Sequence, residues 1–535
     1  MPPINAIYQW LDIRRLGFVI LFLALLTGIT LVDPDFFWHL RTGQYIVEAR
    51  ALPTGDPYSF TAYGKPWVLH EWLFEVLLYG AYAALGAFGV KLLSAGLAIA
   101  TLAVSYGTAR RILGNPTVSY LLALVFFLVV AFGISPRPQL ATYLFFAIYL
   151  RVLIDFKHAH TISALWLLPV LMLAWVNCHG GYVAGVALVG LFCVCEWIIC
   201  VVGRPNDPES RRRLRLLTFA LGVTILATLV NPYFINGWFY PFYLMSMEAV
   251  KTYINEWQSP NFHQLRPQSY LALVIATLLA AMYRIRRPDL TEVAVTTLFI
   301  AAGFIGVRHI PIAALVLLPF AAESLAQTSL RDAGGPLGRA LKSMERGRTK
   351  RRAMGRGQFL INWTVLVLLA VGSLLYYPLR HADDVAVTNK YVPVKATAFI
   401  RQAGLDGRMF NSYHFGGYLI EHLYPAQRVF IDGRVDMYGD DLLKDYMKII
   451  WGGANWQPLF EKYRIDYLVL ERRVPLRQLL LCRSDYKLVY DDANTSVLVK
   501  DVARYAQVIS RYAPAYAQGG DARCPPRPCA DCAGR

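Results

Sequence analysis

Residues Leu16 to Leu40 read LGFVILFLALLTGITLVDPDFFWHL, and the fold class follows from how that stretch divides. The run Leu16 to Val32 is apolar, follows Arg14 and Arg15, and is about as long as a bilayer core requires. It ends in Leu31-Val32-Asp33-Pro34, without the small-x-small pattern of a cleaved leader, so it reads as a retained signal anchor. Pro34 stops the membrane helix and can open a new one, which would set Asp35 and His39, four residues apart, on one helical face. The chain therefore crosses a membrane at once and emerges into a segment rich in Asp, His and aromatic residues.

Working outward, similar apolar runs lie near 88 to 109, 118 to 134, 139 to 155, 162 to 177, 181 to 202, 215 to 231, 269 to 283, 291 to 307, 309 to 326 and 359 to 377. With the first they predict an α-helical polytopic membrane protein of about eleven transmembrane helices. Composition agrees: 56% of the 535 residues are apolar, 17% are charged, and mean hydropathy is +0.39, unlike a soluble multidomain enzyme. The net charge of +17 does not call for nucleic acid, because the basic residues lie mainly in short segments between apolar runs. Placing the N-terminus in the cytoplasm puts roughly 23 Lys and Arg in the inner loops against about 8 in the outer ones, which sets the orientation. An odd number of spans then carries the C-terminal region to the far side.

The expected organisation is a membrane domain over 1–377, a domain over 378–510 and a disordered tail over 511–535. Within the membrane domain, 33–87 and 232–268 are long outer loops and 327–358 is a basic cytoplasmic loop. In the first outer loop, Phe36 to Ala49 and Trp72 to Leu85 have apolar residues near helical spacing, as interfacial helices do. Beyond Tyr377, strands at Arg408 to Asn411, Arg428 to Asp432 and Ile465 to Glu471 alternate with helices, and a hairpin turns at Asp491-Asp492-Ala493-Asn494. That alternation predicts a compact α/β extracytoplasmic domain. The tail carries Cys524, Cys529 and Cys532, three thiols without a nearby histidine and so a poor zinc site.

Polar groups of chemical interest gather at outer helix ends. Asp33, Asp35 and His39 offer a general base or ligands for a divalent cation such as Mg or Mn; equally, the two carboxylates can cap a helix N-terminus. His70 and Glu71 close the same loop in LHEW, either as a second acidic cluster or as a snorkelling polar face. Arg137 in SPRPQ and Arg308 with His309 in VRHIP run against the positive-inside bias, which fits either an anionic phosphate or pairing with loop carboxylates. Asn177 and His179 in WVNCHGG and Glu256 in NEWQSP complete the set. In the last domain, Tyr413 and His414 in NSYHFGGY, with Asp432 in RVFIDGRVD, form either a ligand-facing turn or a tight structural one.

Taken in this order, the acidic segment after the first helix, the interfacial helices, the membrane bundle and the outer C-terminal domain resemble the GT-C class of membrane glycosyltransferases. The resemblance implies a polyprenyl-phosphate-linked sugar as donor, a glycan, lipid or protein as acceptor, membrane lipids as surroundings, and the bacterial cytoplasmic (inner) membrane with a periplasmic C-terminal domain. It maps the catalytic carboxylate to Asp35 or Asp33, with Glu71 as the second acidic position. The segment Asn411 to Tyr418 also looks like the acceptor-reading turn of oligosaccharyltransferases, except that Phe or His stands where their aspartate does, so sequon recognition does not follow. Many helices alone also fit a transporter or flippase, or a scaffold with an outer binding domain. Transporters, however, tend to hold ionisable groups near the bilayer midplane, whereas here the polar groups cluster at outer helix ends, with Glu196 the main internal exception.

Overall fold

The computed structural model describes residues 13–159, 162–203, 207–329, 357, 359–369, 371–372, 388 and 390–517. The basic run Arg331 to Arg356, residues 378–387 and the cysteine-bearing tail lie outside the described residues. The chain forms two compact units, one from residues 1–30, 68–246 and 250–380, the other from 31–67, 247–249 and 381–535. The first outer loop is thus shared out at Trp67, its first half clustering with the C-terminal residues and its second with the membrane helices.

Among the described residues of the first unit, six helices are long and apolar enough to cross a bilayer: Trp72–Leu113, Pro116–Gly133, Gln139–His158, Tyr182–Gly203, Leu265–Met282 and Val307–Ala326. Ile162–Cys178, Leu290–Ile305 and Phe359–Leu369 are shorter apolar helices. The expected count of about eleven is not confirmed among the described residues. Of the first helix, the described residues are Ile13–Gly28. The Pro208–Thr228 helix opens on the basic turn of Arg211, Arg212 and Arg213. Within Trp72–Leu113 the backbone breaks at Gly86, at φ 60° and ψ −147°, which only glycine adopts readily. Trp72 to Leu85 is therefore a helix of its own, as its spacing predicts.

Ile310–Ala326 is the hub, packed against the Trp72–Leu113, Pro116–Val130, Leu265–Met282 and Leu290–Ile305 helices. It is buried on all sides, and Ala313, Ala314, Ala321 and Ala322 let neighbouring helices approach closely. At the cytoplasmic ends, as the sequence orients them, basic residues are paired: Arg111 and Arg151 with Asp155, Lys157 with Asp289, Arg284 with Glu292. Glu196 is likewise spent, its Oε1 accepting from Ser210 and from Arg213 Nε, both at 3.0 Å.

The second unit is built on a four-stranded sheet in the order β1 (Met409–Asn411), β2 (Tyr467–Glu471), β4 (Thr495–Lys500), β3 (Tyr486–Asp491). β1 and β2 are parallel; β4 is antiparallel to both its neighbours, and the expected hairpin joins β3 to β4. The helices Val394–Gln402, Gly416–Leu423, Val435–Ile450 and Trp456–Tyr463 alternate with the strands as expected, and a further helix runs over Pro475–Leu481. Arg428 to Asp432 does not join the sheet. It is extended, but it bridges residues 58–61: Val429 N–H donates to Tyr58 O at 3.0 Å and Phe60 N–H to Val429 O at 3.1 Å. Asn411 fastens it further, its Oδ1 accepting from Phe430 N–H and its Nδ2 donating to Ile431 O, each at 2.8 Å. Local patterning reveals an extended segment but not which neighbour it will pair with.

Pro34–Ala49 belongs to this unit and packs on Gly416–Leu423. Gly417 makes that possible, since a Cβ there would lie 2.1 Å from Pro34 O, while Gly416 admits the segment before Gly433, a Cβ there lying 2.3 Å from Ile431 O. Close backbone approach accounts for this glycine pair.

Candidate functional site

Two clusters emerge, one in each unit. In the membrane unit, residues 68–71, 133–137, 178–181, 254–258 and 306–309 come together at one end of the bundle. Gly133 seats Tyr143 and Pro311 where a side chain would stand, its missing Cβ lying 2.4 Å from the Tyr143 hydroxyl and 2.9 Å from the Pro311 ring. The short turn Asn255–Trp257 lies on the turn Val307–His309, with Val307 N–H donating to Gln258 O at 3.1 Å. That contact brings Glu256 to Arg137, 2.8 Å from its Nη1, and sets the Arg308 guanidinium 4.2 Å over the Trp257 ring.

Both outer-end arginines are thereby accounted for, in different ways. Arg137 pairs with Glu256, whose carboxylate Arg137 holds below its ordinary value against the opposing effect of burial. With Glu256 about half exposed, the pair contributes little to stability, about 0–1 kcal/mol. Arg308 makes no hydrogen bond or ion pair among the described residues, while Glu256, Arg137, Glu71 and Tyr143 all lie within electrostatic reach of it. His309 turns back on its own corner, near Gly306.

Glu71 Oε1 lies 3.4 Å from His70 Nε2 and 3.6 Å from His179 Nε2. His70 stacks on Tyr240 at 4.5 Å. Burial lowers the His179 imidazole to about 3, with Glu71 opposing that shift and Arg308, His70 and Arg137 adding to it, so the ring is neutral at physiological pH. Asn177 serves the scaffold: its Oδ1 accepts from Trp72 Nε1 at 2.8 Å, and its Nδ2 donates to Leu173 O and Val230 O.

In the second unit, Asp33 caps Pro34–Ala49, accepting the Asp35 N–H at 3.0 Å, which is the structural role its position allowed. Asp35, in the first turn, accepts from Trp38 Nε1 at 3.2 Å. Gly433 abuts it: a Cβ there would lie 1.8 Å from Asp35 Oδ1. His39 is buried, its ring tilted by 33° against Trp38 with centroids 3.6 Å apart. Tyr413 is half-buried, with its hydroxyl 3.5 Å from Gly433 O, and His414 is exposed.

Asp432 is fully buried and its oxygens are occupied. Oδ1 accepts from Arg434 Nε at 2.7 Å, while Oδ2 accepts from Arg434 Nη2 at 2.6 Å and from the Tyr438 hydroxyl. Arg434 also reaches Asp56 at 2.8 Å and lies over the rings of Tyr58 and Trp67. Burial opposes the guanidinium's charge, but Asp432 and Asp56 outweigh it and raise Arg434 well above its ordinary value. Sequence reasoning singled out Asp432 but missed Arg434 and Tyr438, two and six residues further on, and Asp56, which lies 378 residues from Arg434. It also missed Lys91, only 1% exposed inside a membrane helix, where a buried ammonium is costly.

Among the described residues no group of three or more His, Cys, Asp or Glu side chains could hold a metal ion.

No family model matches the sequence, and no curated protein matches it. Solved structures do match. The oligosaccharyltransferase of Archaeoglobus fulgidus, tethered to an acceptor peptide containing the NVT sequon, aligns over 86% of this chain and 70% of its own, at 11% identity and a TM-score of 0.54. ArnT from Cupriavidus metallidurans bound to undecaprenyl phosphate aligns over 92% and 98%, at 15% identity and a TM-score of 0.46. The fold assignment rests on the first of these, and the likeness is one of fold. The chain is a multi-pass membrane protein with a GT-C-like fold.

Proposed function

We propose that this protein is a membrane glycosyltransferase that moves a sugar from a polyprenyl-phosphate-linked donor to an acceptor at the outer face of the cytoplasmic membrane. The observation that carries this reading is Arg308. A guanidinium stacked on Trp257, beside the Arg137–Glu256 pair at the mouth of an apolar bundle, suits a lipid phosphate. Arg137 is the secondary phosphate contact, since Glu256 already holds it. The pairing of Glu196 with Arg213 and Ser210 removes the residue that most favoured a transporter.

Asp35 takes the acceptor's proton in this reading, held by Trp38 Nε1 and backed by the bare backbone of Gly433. Glu71, with His70 and His179, supplies the second acidic position. Tyr413 and His414 offer contacts to the acceptor, while Asp432 supports them from within the unit. The acceptor is a glycan, a lipid or a protein; the chemistry required is a nucleophile that sheds one proton as the sugar–phosphate bond breaks.

The test is sugar transfer from a polyprenyl-phosphate-linked donor in proteoliposomes. Arg308→Ala should weaken donor use at least tenfold, and Arg308→Lys should recover it only in part, since an ammonium lacks the planar fork and the stacking on Trp257. Transfer by Arg308→Ala at the wild-type rate and KM would refute the assignment.

A further inference from the structure

Around His179 the hydrogen bonds have only one consistent direction. Trp175 Nε1 can only donate, and it donates to Thr142 Oγ1 at 2.8 Å. Gly181 N–H can only donate, and it donates to His179 Nδ1 at 3.0 Å, so Nδ1 presents a lone pair. Thr142 Oγ1 lies 2.8 Å from the same Nδ1, and its hydroxyl proton is the one left to fill that contact. The imidazole proton therefore sits on Nε2, the atom 3.6 Å from Glu71 Oε1.

The surrounding packing is shaped to keep this arrangement. Trp175 is fully buried, and Gly185 leaves room for it, because a Cβ there would come 2.4 Å from the indole Cζ3. Gly181 leaves room in turn for Thr142 and His179, its missing Cβ lying 2.6 Å from Thr142 Oγ1 and 2.8 Å from His179 Nδ1. The motif WVNCHGG thus contributes a tryptophan, a histidine and a glycine to one relay, and Thr142 comes from another helix.

We propose that Trp175 and Thr142 are positioning residues, which lock His179 in the Nε2-protonated form and aim that N–H at Glu71. His179 then presents its N–H to one carboxylate oxygen of Glu71, 3.6 Å away, and it is not a proton acceptor. The role in transfer rests on the function proposed above; the tautomer itself does not. The charged and titratable groups facing His179 are Glu71, His70, Arg308, Arg137 and Glu256.

Two measurements decide it. In full-length protein labelled with 15N-histidine in nanodiscs, with His179 assigned by difference against His179→Asn, Nδ1 should show the signature of an unprotonated ring nitrogen at neutral pH. Thr142→Ser should retain that signature. Thr142→Val, which keeps the shape but removes the hydroxyl, should shift tautomers or raise the pH at which the ring titrates. A protonated Nδ1 in the wild type, or a Thr142→Val spectrum and titration equal to wild type, would overturn the relay whether or not the protein transfers sugar. In the transfer assay, Thr142→Val should lower kcat about ten- to a hundredfold with KM for the donor little changed, as when an orienting partner of a working imidazole is lost, and Thr142→Ser should restore it. A moved tautomer with unchanged kcat would overturn the positioning role.

Discussion

Replacing Gly433 with alanine isolates Asp35 without touching it. Gly433 does not have a left-handed φ, so alanine is tolerated by the backbone, and the consequence is steric. The new Cβ would lie 1.8 Å from Asp35 Oδ1, 2.8 Å from its Cγ and 3.0 Å from Trp38 Nε1. A carbon and an oxygen need roughly 3.2–3.5 Å, so the carboxylate must retreat by more than an ångström. It can do so by leaving its rotamer, at about 0.5–1.5 kcal/mol, and by giving up the Trp38 hydrogen bond, at about 1.5–3 kcal/mol for a charged acceptor. An ångström of misplacement at a reacting group costs about 10²-fold in rate, or roughly 2.7 kcal/mol of barrier. The assay is kcat for sugar transfer beside a thermal-unfolding control, with Asp35→Asn and the double variant measured together. If Gly433 acts through Asp35, the double variant is no slower than Asp35→Asn alone. A folded Gly433→Ala protein within twofold of wild-type kcat, or a double variant whose losses simply add, refutes Asp35 as the base.

Other expectations concern stability and pH. Arg434→Met should destabilise the C-terminal unit by about 3–5 kcal/mol in chemical denaturation, because Asp56 and Asp432 are left buried without their cation; a loss below about 1 kcal/mol would contradict the buried triad. Burial raises Glu421 from 4.5 to about 7, with Arg41 opposing, so its contribution is present below about pH 4.5 and is lost as pH rises through 7. Glu421→Gln should then unfold at a higher temperature than wild type at pH 8 and at the same temperature at pH 4; equal midpoints at both would remove the buried carboxyl from the account. His179 runs the other way. Its value falls from 6.5 to about 3, so its contribution is full above 6.5 and declines as pH falls towards 3, at about 1.4 kcal/mol per pH unit. His179→Gln should flatten that part of the stability curve, and an unchanged slope would show that the ring is not held neutral.

By itself the sequence determined what depends on local pattern. The apolar runs specified membrane helices, Asp33-Pro34 specified where the helix after the first begins, Gly86 permitted the break after Leu85, and alternation beyond Tyr377 specified an α/β unit. Those features rest on hydropathy, capping and backbone freedom, which act over a few residues. Tertiary structure decided the partners. It gave the extended Arg428 to Asp432 segment to residues 58–61 instead of the sheet, closed Asp432 inside an ion cluster with Asp56, and turned Asn177 to the scaffold. It also paired Arg137 with Glu256 while stacking Arg308 on Trp257, two arginines that look alike in the sequence. The difference is physical: a buried charge or amide must be satisfied by whatever the fold brings within about 3 Å, and residues 119 or 378 positions away leave no mark on their neighbours in the chain.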